Sequence, residues 1–364
     1  MYRKLLTLIF IWLGILFICA KIVPKSWVVN RENYETESAL PVKLRSTILP
    51  LLNFDGRNYL DISLHGYQIN QLGQDRRAFF PLFPLIGGTL NRLHIPLIPS
   101  ILFINLVSLF LSLLILQKLT KNKSFWPVIL LLSFPTAFFL ITFYTESLFL
   151  LEVLAFFYFL KTKQLGRASL IAGLATATRL TGLSLVAVLV YYLWNQKELV
   201  RKFYLMILSV SGLLAYCLYL YFTTGDPLRL IAAQRTFGRP VDLISIFTTP
   251  LDWLTRIIFE KNILEVKFIS SLELISYLTW FVFLVYSWKK ISHEYWLYSF
   301  ISFTPYALIG NLSSGIRYLA VIFPIFLLIP TKIKNKAVLL LISIFFLILQ
   351  ISLFTLFFRN HWVA

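Results

Sequence analysis

Between Phe54 and Leu85 the chain reads FDGRNYLDISLHGYQINQLGQDRRAFFPLFPL, which places Asp55, Asp61, His65, Asp75, Arg76 and Arg77 between strongly apolar segments. Ionisable side chains held next to a membrane-embedded chain are costly and mark functional sites. A carboxylate at such a place can take a proton from a hydroxyl, and arginine's planar fork of donors matches the oxygens of an anion. Asp55 is the residue expected to carry chemistry. Further candidates are Tyr144 and Glu146 in FYTES, Arg179 in ATRLTG, Asp226, Arg235 and Arg239 in a second polar stretch, and Arg317-Tyr318 in SSGIRY. Carboxylates and arginines from five places suit a site that handles an anionic substrate.

Each candidate also has a structural reading. Asp55-Gly56-Arg57 has the form of an N-cap opening a short helix that Gly66 closes, and Asp61 would then sit on that helix's solvated side. His65 fits a helix end, where its ring meets the last carbonyls. Glu146 can cap the helix that follows it, and Arg317 can be an interfacial arginine reaching for headgroups. Arg76-Arg77 read most simply as membrane-surface anchors that could also guide a lipid phosphate. Glu152 and Glu273 lie deeper, with buried pairing as their expected state. Asp55 can be capping and catalytic at once.

The elements that must position these groups are set by composition. Of 364 residues, 58% are hydrophobic and 14% charged, with a mean hydropathy of +0.77, far from a soluble globular balance. The expected fold is an all-α polytopic membrane protein, one integral domain over 1–364. The net charge of +18 lies in short clusters between apolar runs, which fits membrane orientation and argues against nucleic acid. Cys19 and Cys217 sit inside apolar runs and imply neither a disulfide framework nor a metal site.

Apolar runs at about 5–23, 99–118, 125–143, 145–161, 168–182, 183–195, 203–223, 268–288, 294–310, 316–330 and 336–358 make eleven candidate spans. The first is too long for a signal-peptide core and lacks a good cleavage site, so it is expected to be retained. Phe79–Pro99 is broken by Pro81, Pro84, Gly87-Gly88, Arg92, His94 and Pro96, and is expected to lie along the membrane face. With that placement the clusters Arg3/Lys4, Lys118/Lys121/Lys123, Lys161/Lys163/Arg167, Lys197/Arg201/Lys202, Lys289/Lys290 and Lys332/Lys334/Lys336 fall on one side. The positive-inside rule then makes the N-terminus cytoplasmic. Two large non-cytoplasmic loops follow, 24–98 with the catalytic aspartate and membrane-surface helices, and 224–267, described by composition as polar.

Absences narrow the class further. The chain contains no GxxxxGK[ST], no GxGxxG after a strand pattern, no DxD, no HExxH and no GxSxG. This disfavours an ATP-driven pump, a Rossmann-type nucleotide-sugar enzyme, a zincin and an α/β-hydrolase. No acidic cluster argues for a metal.

Taken in order, FDGRNYLDISLHGY, RRAFFPLFPL, FPTAFFLITFYTESLFLL, GLATATRLTGL, YFTTGDPLRLIAAQRTFGRP and SSGIRYLAVIFPIFLL resemble the PIG-V-like mannosyltransferases of the GT-C superfamily, over roughly residues 50 to 330. The family usually has Trp before its first-loop aspartate, where this chain has Phe54. The resemblance implies a GT-C fold and inverting transfer, commonly of mannose, from a polyprenyl-phosphate sugar to a lipid or glycan acceptor. Asp55 matches the family's catalytic aspartate. The departing phosphate needs cations, with Arg317 expected first, Arg179 second and Tyr318 beside them. Glu146, Tyr144, Asp61, His65 and Arg235 are the expected sugar or acceptor contacts. No cofactor or metal is expected; membrane lipid and the lipid-linked sugar are the partners, and an accessory membrane subunit is compatible with the resemblance. The expected location is the cell membrane, or the endoplasmic reticulum membrane in a eukaryote. The competing reading is a flippase for lipid-linked sugars, disfavoured because the charges sit at the faces and no internal repeat is evident.

Overall fold

A computed structural model describes residues 2–22, 46–121, 124–239, 244–259, 264–308 and 312–363. Part of the expected first loop (24–45), Lys123, and positions 240–243 and 260–263 of the second loop lie outside the described residues. Among the described residues every regular element is a helix, and the one antiparallel bridge joins Ile69 to Asp75. Five helices are long and apolar enough to cross a membrane: Tyr2–Ile22, Leu97–Leu119, Phe203–Thr224, Val266–Ser287 and Lys336–Phe358. At about 1.5 Å per residue each covers the roughly 30 Å of a hydrocarbon core. The chain is thus built as a polytopic membrane protein.

The other apolar runs form shorter elements, and two of them break where continuous helices were expected. Over 125–143, the helix Trp126–Ser133 stops at Phe134, which takes the extended conformation that Pro135 imposes on its predecessor. A 3-10 turn, Ala137–Ile141, and an extended Thr142 follow before Glu146 opens the next helix. Over 316–330, a short helix Gly315–Leu319 is separated from Pro324–Lys332. Proline at the first position of the second helix suits its fixed φ and missing N–H.

Two compact units contain these elements. The first comprises Met1–Gly66, Phe83–Leu151 and Ile329–Val363. Its core joins the first and last long helices: Phe17 meets Phe354 and Phe358 edge-on, and Trp12 Nε1 donates to Gln350 Oε1 at 2.8 Å. Gln350 Nε2 in turn donates to the carbonyls of Leu132 (3.1 Å) and Phe134 (2.8 Å), on either side of the point where the helix ends. Phe138, Phe139 and Tyr144 pack around Phe357.

The second unit comprises Tyr67–Leu82 and Glu152–Leu328. Leu165–Thr178 and Phe203–Thr224 approach through small residues. Ser169 Oγ donates to the Leu205 carbonyl, and a Cβ on Gly173 would lie 2.6 Å from the Leu208 carbonyl oxygen. One on Gly212 would collide with the Gly173 carbonyl, so backbones this close require both glycines. His293–Ala307 joins Leu183–Asn195 through Ser302 and Ser184, and Trp280 stacks on Phe303. The stretch expected as a polar loop after Thr224 is largely helical, as Arg229–Thr236 and Ser245–Phe259. The latter buries Thr249 and Trp253 and exposes Phe247, Leu251, Leu254 and Ile258. Its period of three to four is masked in a composition count by the polar residues between.

Gln350→Leu removes three hydrogen bonds at once and strands the Trp12 N–H. It is expected to destabilise the first unit by about 2–4 kcal/mol, read as a clear drop in the thermal unfolding midpoint of the detergent-solubilised protein.

Candidate functional site

The expected helix over Asp55–His65 forms and Gly66 closes it, its N–H bonded to the Ile62 carbonyl at 2.9 Å. Asp55 is not its N-cap. Phe54 holds that position, with φ +58 and ψ −117, and its side chain makes no capping hydrogen bond. Such a backbone is an outlier for a bulky residue. Phe54 is held there by its ring, 5.9 Å from Phe357 and 5.1 Å from Trp362, edge-on to the indole. Asp55 is therefore the first helical residue, buried at 8% exposure.

A frame of buried polar contacts within the first unit fixes this turn. Asn53 Nδ2 donates to the Phe357 carbonyl at 2.7 Å, and Tyr144 Oη donates to the Asn53 carbonyl at 2.8 Å. Phe143 N–H donates to the Leu51 carbonyl at 3.0 Å. Asn105 Nδ2 reaches the carbonyls of Thr142 (2.6 Å) and Tyr144 (3.1 Å), while Ser147 Oγ donates back to the Asn105 carbonyl. Arg57 contacts Asn360 Oδ1 at 3.4 Å. FYTES thus lies against the residues that precede Asp55, and Glu146, fully buried, opens the helix Glu146–Lys161. Tyr144, expected to touch a sugar, directs its hydroxyl to the backbone beside Asp55. Asp61 is half-buried on the same helix as Asp55, and His65 is exposed at its end.

In the second unit the structure brings together Arg179, Arg317 and Tyr318. The Arg179 guanidinium carbon lies 5.0 Å from the Tyr318 ring centroid and that of Arg317 lies 5.8 Å from it. Arg317 is 3% exposed, so it is not the interfacial snorkelling arginine of the structural reading. Arg179 is the extended residue that ends Leu165–Thr178, where the next helix begins with a 3-10 turn, Leu180–Gly182. Just before it, Thr178 Oγ1 donates to Glu152 Oε1 at 2.8 Å, so Glu152 finds a hydroxyl rather than a cation. Arg235 is exposed on Arg229–Thr236.

Asp75, Arg77 and Asp226 have structural work in the same unit. Asp75, 1% exposed, accepts from Arg77 Nη1 at 3.0 Å and from Arg229 Nε at 2.9 Å, and its own N–H donates to Thr236 Oγ1. Arg77 therefore turns inward and is not a simple surface anchor. Tyr216 Oη donates to the Arg77 carbonyl at 2.7 Å, and Gln234 Nε2 to that of Ala78 at 2.8 Å. Asp226 accepts from Leu228 N–H in a local turn.

Asn53 and Asn105 escaped sequence reasoning, and Glu273, expected only to be buried and paired, had no partner assigned. Glu273, 1% exposed, accepts from the backbone N–H of Ser314 at 2.7 Å and of Ile316 at 2.9 Å. A lone polar residue within an apolar run was the signal available. Among the described residues no group of three or more His, Cys, Asp or Glu could hold a metal ion. Chemically, the first unit presents a rigidly framed carboxylate, and the second two guanidinium groups gathered on one tyrosine.

Asp75 Oδ1 also accepts from the Arg77 N–H at 3.1 Å, so Asp75→Ala leaves both arginines and that amide without this acceptor. The expected loss is about 2–3 kcal/mol, less than the roughly 3–5 kcal/mol of a fully buried pair because Arg229 is 39% exposed. Chemical denaturation in detergent measures it. No family model, no curated protein and no solved structure matches this chain.

Proposed function

We propose that this protein is a membrane glycosyltransferase, an inverting mannosyltransferase that moves a sugar from a polyprenyl-phosphate donor to a lipid or glycan acceptor. In this reading the chain is a GT-C-like assembly of about eleven membrane-embedded segments, its N-terminus is cytoplasmic and its chemistry takes place on the non-cytoplasmic face. The observation that carries the reading is the gathering of Arg179 and buried Arg317 on the Tyr318 ring. Two guanidinium groups held near one another concentrate positive charge, and their forked donors fit phosphate oxygens. The ordered motifs supply the rest of the argument.

Asp55 is the general base. Its carboxylate takes the proton of the acceptor hydroxyl as that oxygen bonds to the anomeric carbon. The bond from that carbon to the phosphate oxygen breaks on the opposite face of the sugar, and its electron pair leaves with the polyprenyl phosphate. Arg317 and Arg179 balance the charge that grows on the leaving phosphate, and Tyr318 keeps both cations in place. Glu146, Asp61, His65 and Arg235 are assigned to sugar and acceptor contacts. The reaction as written needs no cofactor.

Transfer of radiolabel from polyprenyl-phosphate mannose is to be measured in membranes holding matched amounts of wild type, Asp55→Asn and Arg317→Lys. Wild type is expected to label a lipid or glycan acceptor. Asp55→Asn should lose at least about a hundredfold in rate. Arg317→Lys keeps the charge but loses the fork and should lose about tenfold or more. Full activity in Asp55→Asn would remove Asp55 as the base. Protein-dependent movement of the labelled lipid across the bilayer, with no sugar transferred, would replace the enzyme by a flippase.

A further inference from the structure

We infer that Glu273 is a positioning residue: its buried carboxyl group fixes the turn Ser314–Ile316 and thereby sets Arg317 and Tyr318 for anion binding. The inference rests on the phosphate-binding role proposed for those two residues and extends it to a side chain forty-four positions earlier on a different helix, Leu264–Ser287.

The turn is poorly disposed to form alone. Ser314 adopts φ +76, ψ 8, a left-handed conformation that few non-glycine residues take, immediately before a helix of only five residues. A helix so short has most of its amide donors outside its own ladder. Glu273 supplies acceptors for two of them, Oε1 for Ser314 N–H at 2.7 Å and Oε2 for Ile316 N–H at 2.9 Å. Both oxygens are engaged, one on each side of Gly315. Gly315 is itself pinned from another direction: a Cβ there would lie 2.6 Å from Tyr306 Cε1. The Tyr306 hydroxyl donates to the Leu312 carbonyl, and its ring lies 5.4 Å from that of Tyr318. The carboxyl group, the glycine and the tyrosine together determine where the next two residues, Arg317 and Tyr318, emerge. Arg317 also lies close enough to Glu273 to interact with it electrostatically.

Pure packing would not need a carboxyl group at this place. A buried carboxyl that accepts two amides from one turn is matched to that turn's geometry, and glutamine, of the same shape, has a single acceptor oxygen. Its NH2 group would face the second amide donor. E273Q therefore keeps volume and breaks the two-point hold, whereas E273D keeps both acceptors on a shorter arm.

The test uses the full chain in nanodiscs with two readouts. Hydrogen–deuterium exchange over Leu312–Leu319 reads the hold itself, and titration with decaprenyl phosphate reads its consequence. E273Q is expected to speed exchange of this segment about tenfold or more while the rest of the protein keeps its protection, and to weaken decaprenyl phosphate binding about tenfold or more. E273D should recover part of both, which a general packing defect would not allow. If E273Q does not fold, E273D alone is compared with wild type, and an intermediate loosening confined to the same segment is the supporting result. Unchanged exchange in E273Q, or faster exchange with unaltered binding, overturns the inference. If wild type and Arg317→Ala bind decaprenyl phosphate equally, the phosphate reading fails and positioning for it fails too, while the exchange readout still decides whether Glu273 holds the turn.

Discussion

A chain that leaves the helical state inside apolar surroundings exposes amide and carbonyl groups that water cannot reach, and each one left unmet costs several kcal/mol. This constraint governs the molecule, because the motifs with chemical potential lie where helices break. Over Leu132–Tyr144 further partners come from Gln350, Asn105 and the backbone of Leu51. At Ser314–Ile316 they come from Glu273. In both places a buried polar side chain from a long helix reaches into a broken one. The long helices act as walls and as donors of hydrogen-bonding groups.

That division of labour explains which features could be read from sequence. Hydropathy periods locate Tyr2–Ile22, Leu97–Leu119, Phe203–Thr224, Val266–Ser287 and Lys336–Phe358 within a few residues, since lipid imposes one requirement along their whole length. The same measure fails over 125–143 and 316–330. These segments are as apolar as a span, and burial of every residue from Phe134 to Ser147 hides the break from any hydropathy count. The proline in Phe-Pro-Thr was the local sign. Asp55, Arg179 and Arg317 were legible as candidates because charge is rare in such a chain, and Tyr318 as the neighbour of Arg317. Their supports were not, since Asn53, Asn105 and Glu273 act on partners tens to hundreds of positions away and no spacing rule links them. Asp75 was misjudged for the related reason that Arg229, 154 positions later, is its second partner.

Two backbone outliers deepen the point. Phe54 and Ser314 both have positive φ, and they stand one and three residues before Asp55 and Arg317 respectively. Strain of this kind costs of order 1–3 kcal/mol and persists only where surrounding contacts over-determine it. For Phe54 those contacts are Asn53 to Phe357, Tyr144 to Asn53, and two rings against its own. For Ser314 they are the Glu273 carboxyl group and the Tyr306 ring against Gly315.

Stability alone does not account for that investment in polar contacts. Replacing a buried polar network by well-packed apolar side chains is often neutral or stabilising, and a membrane offers no penalty for doing so. A continuous helix through Ser313–Phe323 would satisfy its own amides and need neither Glu273 nor a left-handed serine. Instead the chain restarts after the break as a short helix, Gly315–Leu319, that carries Arg317 and Tyr318, and Arg179 meets the Tyr318 ring from the end of another helix. In the proposed phosphate site the broken turn, its strain and its polar supports act together to hold these cations in one orientation, a requirement of binding rather than of folding.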